Sequence, residues 1–330
     1  MGRLATLGLA LCLAVGACSR TGEADDPNLI NVVTTVSPIT NIVQNVGGDR
    51  IEVTGIVPEG TNSHTFEPAP SDAAILAEAD IVFINGLHLE EPTRELAEAN
   101  VRSGVPIVEL GTRTIAPDQY IYDFSFPRSG GDPNPHLWTD PLYALDYARI
   151  VKQELSKLDP DGSDAFAANL RSFATRIMEL DRDVREVTET VPEQNRVLLT
   201  YHDSFPYFAR EYGWRIIGAI QPADFAEPTP QEVARLIDQI RAEHIPAIFG
   251  SEVFPSSVLQ QIADETGAEY VDSLRDDDLP GDNGDPDHSY FGLMVFDFRT
   301  FMGALGGDVA PFESFDVSNV AGGATADYRS

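Results

Sequence analysis

Short β-branched or apolar runs alternate along this chain with stretches whose apolar residues recur every three or four positions. Runs at 31–36, 51–57, 80–85 and 105–110 read as strands, with helix patterns at 38–46, 72–79 and 90–101 between them. The second half repeats the plan, with strands at 196–201, 215–220, 247–250 and 269–272 and helices at 204–211, 230–243, 256–266 and 290–305. Strands alternating with helices build βαβ units, so the expected fold class is α/β: two similar lobes, each around a parallel sheet. Ser37-Pro38, Asp140-Pro141 and Thr229-Pro230 each place an N-cap residue before a proline suited to the first helical turn.

Between the halves one pattern is longer than the rest. Phe166, Leu170, Phe173, Ile177, Leu180, Val184 and Val187 form an apolar stripe at alternating spacings of four and three. A helix over 164–190 would be about 40 Å long. A solvated coiled-coil arm carries the same stripe, but a lone helix between two α/β halves reads as a rigid spine packed on both. The expected domains are therefore 29–160 (N-terminal lobe), 161–191 (linking helix) and 192–306 (C-terminal lobe). Beyond 306 periodicity is lost, and 307–330 reads as a poorly ordered tail.

The N-terminus sets the compartment. Arg3, a short apolar stretch and Val15-Gly16-Ala17-Cys18 read as an export signal over 1–17, with Cys18 resembling a bacterial lipobox cysteine. Residues 18–28 would then tether the body to the outer face of the membrane or hold it in the periplasm. Cleavage leaves Cys18 as the sole cysteine, so any metal site must use His, Asp and Glu. With 22 Lys+Arg against 53 Asp+Glu, a net charge of −31 excludes nucleic acid as a partner.

Chemistry concentrates at strand ends. His64, His136 and His202 each lie where a strand gives way to a turn or helix, and Asp272 ends the last strand. Ligands in open α/β sheets gather at the carboxyl ends of strands, and three imidazoles with one carboxylate make a tetrahedral metal set. Glu252 and His88 lie near the same rim and are candidates for orienting a ligand. His244 reads as a surface turn residue. His288, in the acidic stretch 276–288, belongs to a solvated charge run or a weak cation collector, without calcium-loop spacing. Asp140 and Asp203 read as helix caps.

NSHTFEP, NPHLWTDP, HDSFPYFAREYG, SEVFPSSVLQQIADETG and VDSL occur in that order. Together with the lipobox they resemble the metal-binding solute-binding lipoproteins of bacterial zinc and manganese ABC importers, over about residues 29 to 305. The resemblance implies two lobes joined by a backbone helix, a metal between them held by His64, His136, His202 and Asp272, and a membrane permease as partner to a monomeric receptor. A histidine at position 202 favours zinc, as does the chemistry of the donors. The short segment between the first two histidines lacks the His-rich loop of many zinc members, which keeps manganese as the alternative. Two rival readings are a secreted metal-dependent hydrolase, with Glu252 or Asp203 as base, and an adhesion module with a structural metal. No HExxH helix or nucleophile elbow supports the hydrolase.

Overall fold

The computed structural model describes residues 29–221, 228–251, 257–275, 277–322 and 325–329. Its first half contains strands β1 (Ile30–Thr34), β2 (Ile51–Gly55), β3 (Ile81–Ile84) and β4 (Ile107–Glu109). Helices α1 (Ser37–Gly47), α2 (Asp72–Glu78), α3 (Glu91–Asn100) and α4 (Leu110–Thr114) follow these strands in turn. Two longer helices, α5 (Pro141–Leu158) and α6 (Ser163–Thr190), lead to the second half. There β5 (Val197–Thr200), β6 (Arg215–Ala219), β7 (Ala247–Ser251) and β8 (Glu269–Leu274) alternate with α7 (Pro206–Tyr212), α8 (Pro230–Glu243) and α9 (Ser257–Thr266). The chain then runs through α10 (Tyr290–Ala304), α11 (Ala310–Glu313) and β9 (Thr325–Tyr328).

Both sheets are parallel, in the orders β4-β3-β1-β2-β9 and β6-β5-β7-β8. The α/β architecture with two parallel-sheet lobes is thus present. Every residue of β3 and β5 is buried, as expected of strands covered by helices on both faces. Asp140 and Thr229 cap α5 and α8 as read from sequence, the latter through a capping box closed by Glu232. Ser37 is different: it falls inside the first turn of α1, whose cap position is Val36.

The spine is α6. Its stripe is buried throughout apart from the half-buried Leu170, and the helix packs against α1 and α5 on one side and α7, α10 and α11 on the other. One continuous apolar core therefore runs from Val32 and Phe83 in the first sheet, through Phe173 and Ile177 of α6, to Leu198 and Phe249 in the second. Opening the lobes like a hinge would expose this core, at a cost that scales with the apolar area uncovered.

The C-terminal segment corrects the expectation of a disordered tail over 307–330. It forms α11 and then returns to the first lobe, where β9 extends the sheet beside β2. Tyr328 is buried, with its hydroxyl bonded to Asn41 Nδ2 at 2.8 Å and Gln44 Oε1 at 2.7 Å, and Arg329 pairs with the buried Asp72. A four-residue strand has too little periodicity to register alone, and its partner is some 270 residues away in the chain. Among the described residues no helix is long and apolar enough to cross a membrane. Cys18, the signal and the tether lie outside the described residues.

Candidate metal centre

His64 lies in the turn that follows β2, and its backbone N–H is held by Asn62 Oδ1 at 2.9 Å. His136 is placed the same way, with its N–H donating to Asn134 Oδ1 at 3.0 Å, one residue before a tight turn over Leu137–Thr139 leads into α5. His202 follows β5, and its carbonyl accepts from Thr200 Oγ1 at 2.6 Å. These local asparagine and threonine turns bend the chain beyond β2 and β5 and, for His136, in the loop ahead of α5, which departs from the strand-end expectation because no strand directly precedes it.

The three rings converge. His64 Nε2 is 3.1 Å from His136 Nε2 and 3.0 Å from His202 Nε2, and the last two are 3.0 Å apart. The outer nitrogens of two of the rings are held by amide oxygens. Asn134 donates its Nδ2 to the Asp203 carbonyl at 2.6 Å, so its Oδ1 is the end that faces His136 Nδ1 at 2.9 Å. Gln221 Oε1 likewise accepts from His202 Nδ1 at 2.8 Å. With Nδ1 facing Asn134 Oδ1, His136 turns its Nε2 inward, and Gln221 likewise turns the Nε2 of His202 toward it. Burial, with the neighbouring histidines second, holds the pKa of His64 and His136 well below the usual value, so both rings are neutral at pH 7. Three converging imidazole nitrogens make a set that a cation can bridge. Their spacing is within a few tenths of an ångström of the tetrahedral edge, about 3.3 Å, implied by Zn–N bonds of about 2.0–2.1 Å.

The surrounding wall is tied across the lobes. Asn134 from the first half bonds Asp203, Thr139 Oγ1 bonds the Ser204 carbonyl at 2.9 Å, and Tyr207 OH bonds the Asn134 carbonyl at 2.9 Å. His136 and His202 are only 1% and 4% exposed, so neither ring can rotate away without disturbing packed neighbours. Trp138 backs His136 edge-on at 5.1 Å. Phe126 is in ring contact with all three histidines. Behind them two carboxyls, Asp123 and Asp203, share one buried region. Burial raises both pKa values, and Asp203 raises that of Asp123 further. Asp203 does not cap a helix as expected: α7 starts at Pro206 with Phe205 at its cap position, and the Asp203 carboxyl is buried beside Asp123 instead.

Asp272 stands apart. It is exposed on β8 and does not join the three histidines in a common ligand group. The expected four-residue set is thus three histidines that meet and one aspartate outside them. Phe249 pairs with Val271 and Ser251 with Leu274, so β8 carries one extra residue opposite Gly250. Such a bulge re-aims side chains, and it falls at Asp272 and Ser273.

Glu252 lies outside the described residues. His88 is on the rim with both ring nitrogens near carboxylates, Nδ1 3.1 Å from Glu91 and Nε2 3.8 Å from Asp132. It shares a cavity of about 250 Å³ with His64. His244 ends α8 in a left-handed conformation, a turn residue as expected. His288 departs from expectation: Asp282, Asp285 and Asp287 are exposed, but Asp278 is buried and the His288 ring is buried edge-on against Tyr328 at 4.6 Å. The same stretch is fastened to the His64 turn, with Gly60 N donating to Asp278 Oδ2 at 2.8 Å and Leu279 N to Glu59 Oε1 at 3.3 Å.

The sequence gives little signal for the supporting residues. Asn134 had one in the Asn-Pro-His order, which favours a side-chain turn two residues before the ligand. Gln221 and Phe126 had none, because only tertiary packing brings them to the rings.

Comparison with known proteins agrees with this geometry. A family model described as zinc-uptake complex component A, periplasmic, matches residues 32–304. The manganese-binding lipoprotein MntA of Halalkalibacterium halodurans is 28% identical over 298 residues, which cover 90% of this chain and 95% of that protein. The iron-binding protein YfeA of Yersinia pestis is 29% identical over 294 residues, 89% of this chain and 92% of that one. Among solved structures, the periplasmic zinc binding protein TroA from Treponema pallidum matches with a TM-score of 0.76 at 26% identity, covering 84% of this chain and 99% of that chain. The chain belongs to the family of zinc-uptake complex component A, the solute-binding proteins of metal ABC importers, which are not enzymes.

Proposed function

We propose that this protein captures Zn²⁺ at His64, His136 and His202 outside the cytoplasm and delivers it to the membrane permease of an ABC importer. The observation that carries the reading is the convergence of three Nε2 atoms, two of them turned inward by the contacts of the opposite ring nitrogens with Asn134 and Gln221. An all-imidazole set suits a borderline cation with four-coordinate preference better than oxygen-seeking Mn²⁺. The relatives' names mention manganese, iron and zinc, so the donor chemistry is what argues for zinc.

Asp272 is the residue we assign to complete the sphere, by movement of the bulged end of β8 toward the histidines. Release then needs only the reverse of a local movement, and the shared core along α6 can stay intact. Cys18 is assigned as the lipidated residue that keeps the receptor at the membrane, and Cys18→Ala is expected to shift the protein to the soluble fraction.

Metal analysis of protein purified without chelators, followed by Zn²⁺/Mn²⁺ competition, tests the central claim. Retention of Zn²⁺ against excess Mn²⁺ is expected. Preference for Mn²⁺ would overturn the choice of metal, and no site tighter than about 1 μM for either ion would overturn capture itself. A chelator should leave the circular dichroism unchanged; unfolding on metal removal would favour a structural metal instead.

A further inference from the structure

We propose that Phe126 sets the metal selectivity of this site by restricting it to cations satisfied with four ligands. The inference deepens the capture reading above and rests on it. Phe126 is only 7% exposed although it sits in a loop without regular structure. It is absent from the three apolar clusters formed by the described residues. Its ring lies against the metal-binding side chains, with centroids 5.4 Å from His64, 5.7 Å from His136 and 6.2 Å from His202.

The loop is built to hold the ring there. Asp123 N–H donates to the Phe126 carbonyl at 2.9 Å, closing a tight turn. Ser125 Oγ donates to the Gln221 carbonyl at 2.8 Å, and Gln221 is the residue that fixes His202. Phe124, two positions earlier, is 51% exposed, so the turn sends one phenylalanine to solvent and the other to the histidines.

A phenyl ring neither donates to a metal nor holds water. Pressed against three imidazoles, it takes up space that water ligands would need and lowers the local polarity. Zn²⁺ is content with four donors, whereas Mn²⁺ favours six with several oxygens. The ring therefore penalises the six-coordinate ion more than the four-coordinate one.

The test uses Co²⁺ as a coordination probe and Zn²⁺/Mn²⁺ competition in the mature chain, for the native protein and for Phe126→Ala, Phe126→Gln and His136→Ala. The native protein is expected to show the intense visible bands of four-coordinate Co²⁺. Phe126→Ala and Phe126→Gln should weaken them toward the six-coordinate pattern and lower Zn²⁺/Mn²⁺ selectivity by about tenfold or more. Weak six-coordinate bands in the native protein would overturn the proposal without any variant. Unchanged bands and selectivity in whichever Phe126 variant keeps the native circular dichroism would overturn it as well. His136→Ala separates the two readings: unimpaired Zn²⁺ binding there sinks capture at the triad, whereas its loss alongside silent Phe126 variants sinks only the role of Phe126.

Discussion

The two sides of the proposed metal centre are built by opposite rules. On one side His136 and His202 are buried, their outer nitrogens are fixed by Asn134 and Gln221, and their backbones are stitched together through Asp203, Ser204 and Tyr207. On the other side Asp272 is exposed on an edge strand at a bulge. The same chain thus makes a preorganised half and an adjustable half. Preorganisation lowers the cost of ordering ligands when the cation arrives, while a weakly held edge allows local opening at little cost. A receptor must do both, because it has to bind and then let go.

That contrast can be broken by substitution. The largest effect is expected from His136→Ala or His202→Ala, with Zn²⁺ affinity falling by more than about 100-fold in a chromophoric-chelator competition, since a direct ligand should cost more than its supporting partner. Gln221→Ala and Asn134→Ala should come next at roughly 10–100-fold, because the rings remain but lose their fixed tautomer and orientation. Losses below twofold would mean that the stitched side is not what preorganises the site.

Asp272→Asn should cost about tenfold, or some 1.4 kcal/mol, and stopped-flow chelation should place most of it in faster dissociation. A loss as large as that of His136→Ala would erase the distinction between the two sides. The smallest effect concerns Asp140, which caps α5 just beyond His136. Burial pushes its carboxyl up to about 7, with Glu211 adding to the shift. Because the folded chain then holds a proton that the unfolded chain has lost, this contribution to stability is present below about pH 4 and disappears as pH rises toward 7. Asp140→Asn keeps a cap acceptor without the charge. It should stabilise the protein by on the order of 1 kcal/mol at pH 8 and much less at pH 5, read from denaturant unfolding.

Much of the fold was legible because its elements carry strong periodicity. Predicted strands and helices appear within two residues of their ends, and the stripe from Phe166 to Val187 lies along α6. His64 and His202 were legible too, since strand ends in parallel sheets collect ligands, whereas His136 lies in the loop ahead of α5 and was legible only from its residue type and motif. Elements that depend on distant partners were not. β9 is four residues long and is a strand only because β2 offers an edge, while His288 is buried only because Tyr328 arrives on that strand.

What the amino-acid order determined by itself is therefore the alternation of elements, the spine and the identity of three nitrogen donors, all of which follow from local pattern and side-chain chemistry. Tertiary structure decided how those donors are used. It oriented two rings through Asn134 and Gln221, placed Phe126 against all three and set Asp272 outside them. These are contacts between residues far apart in the chain, and no local period encodes a distance across a folded core.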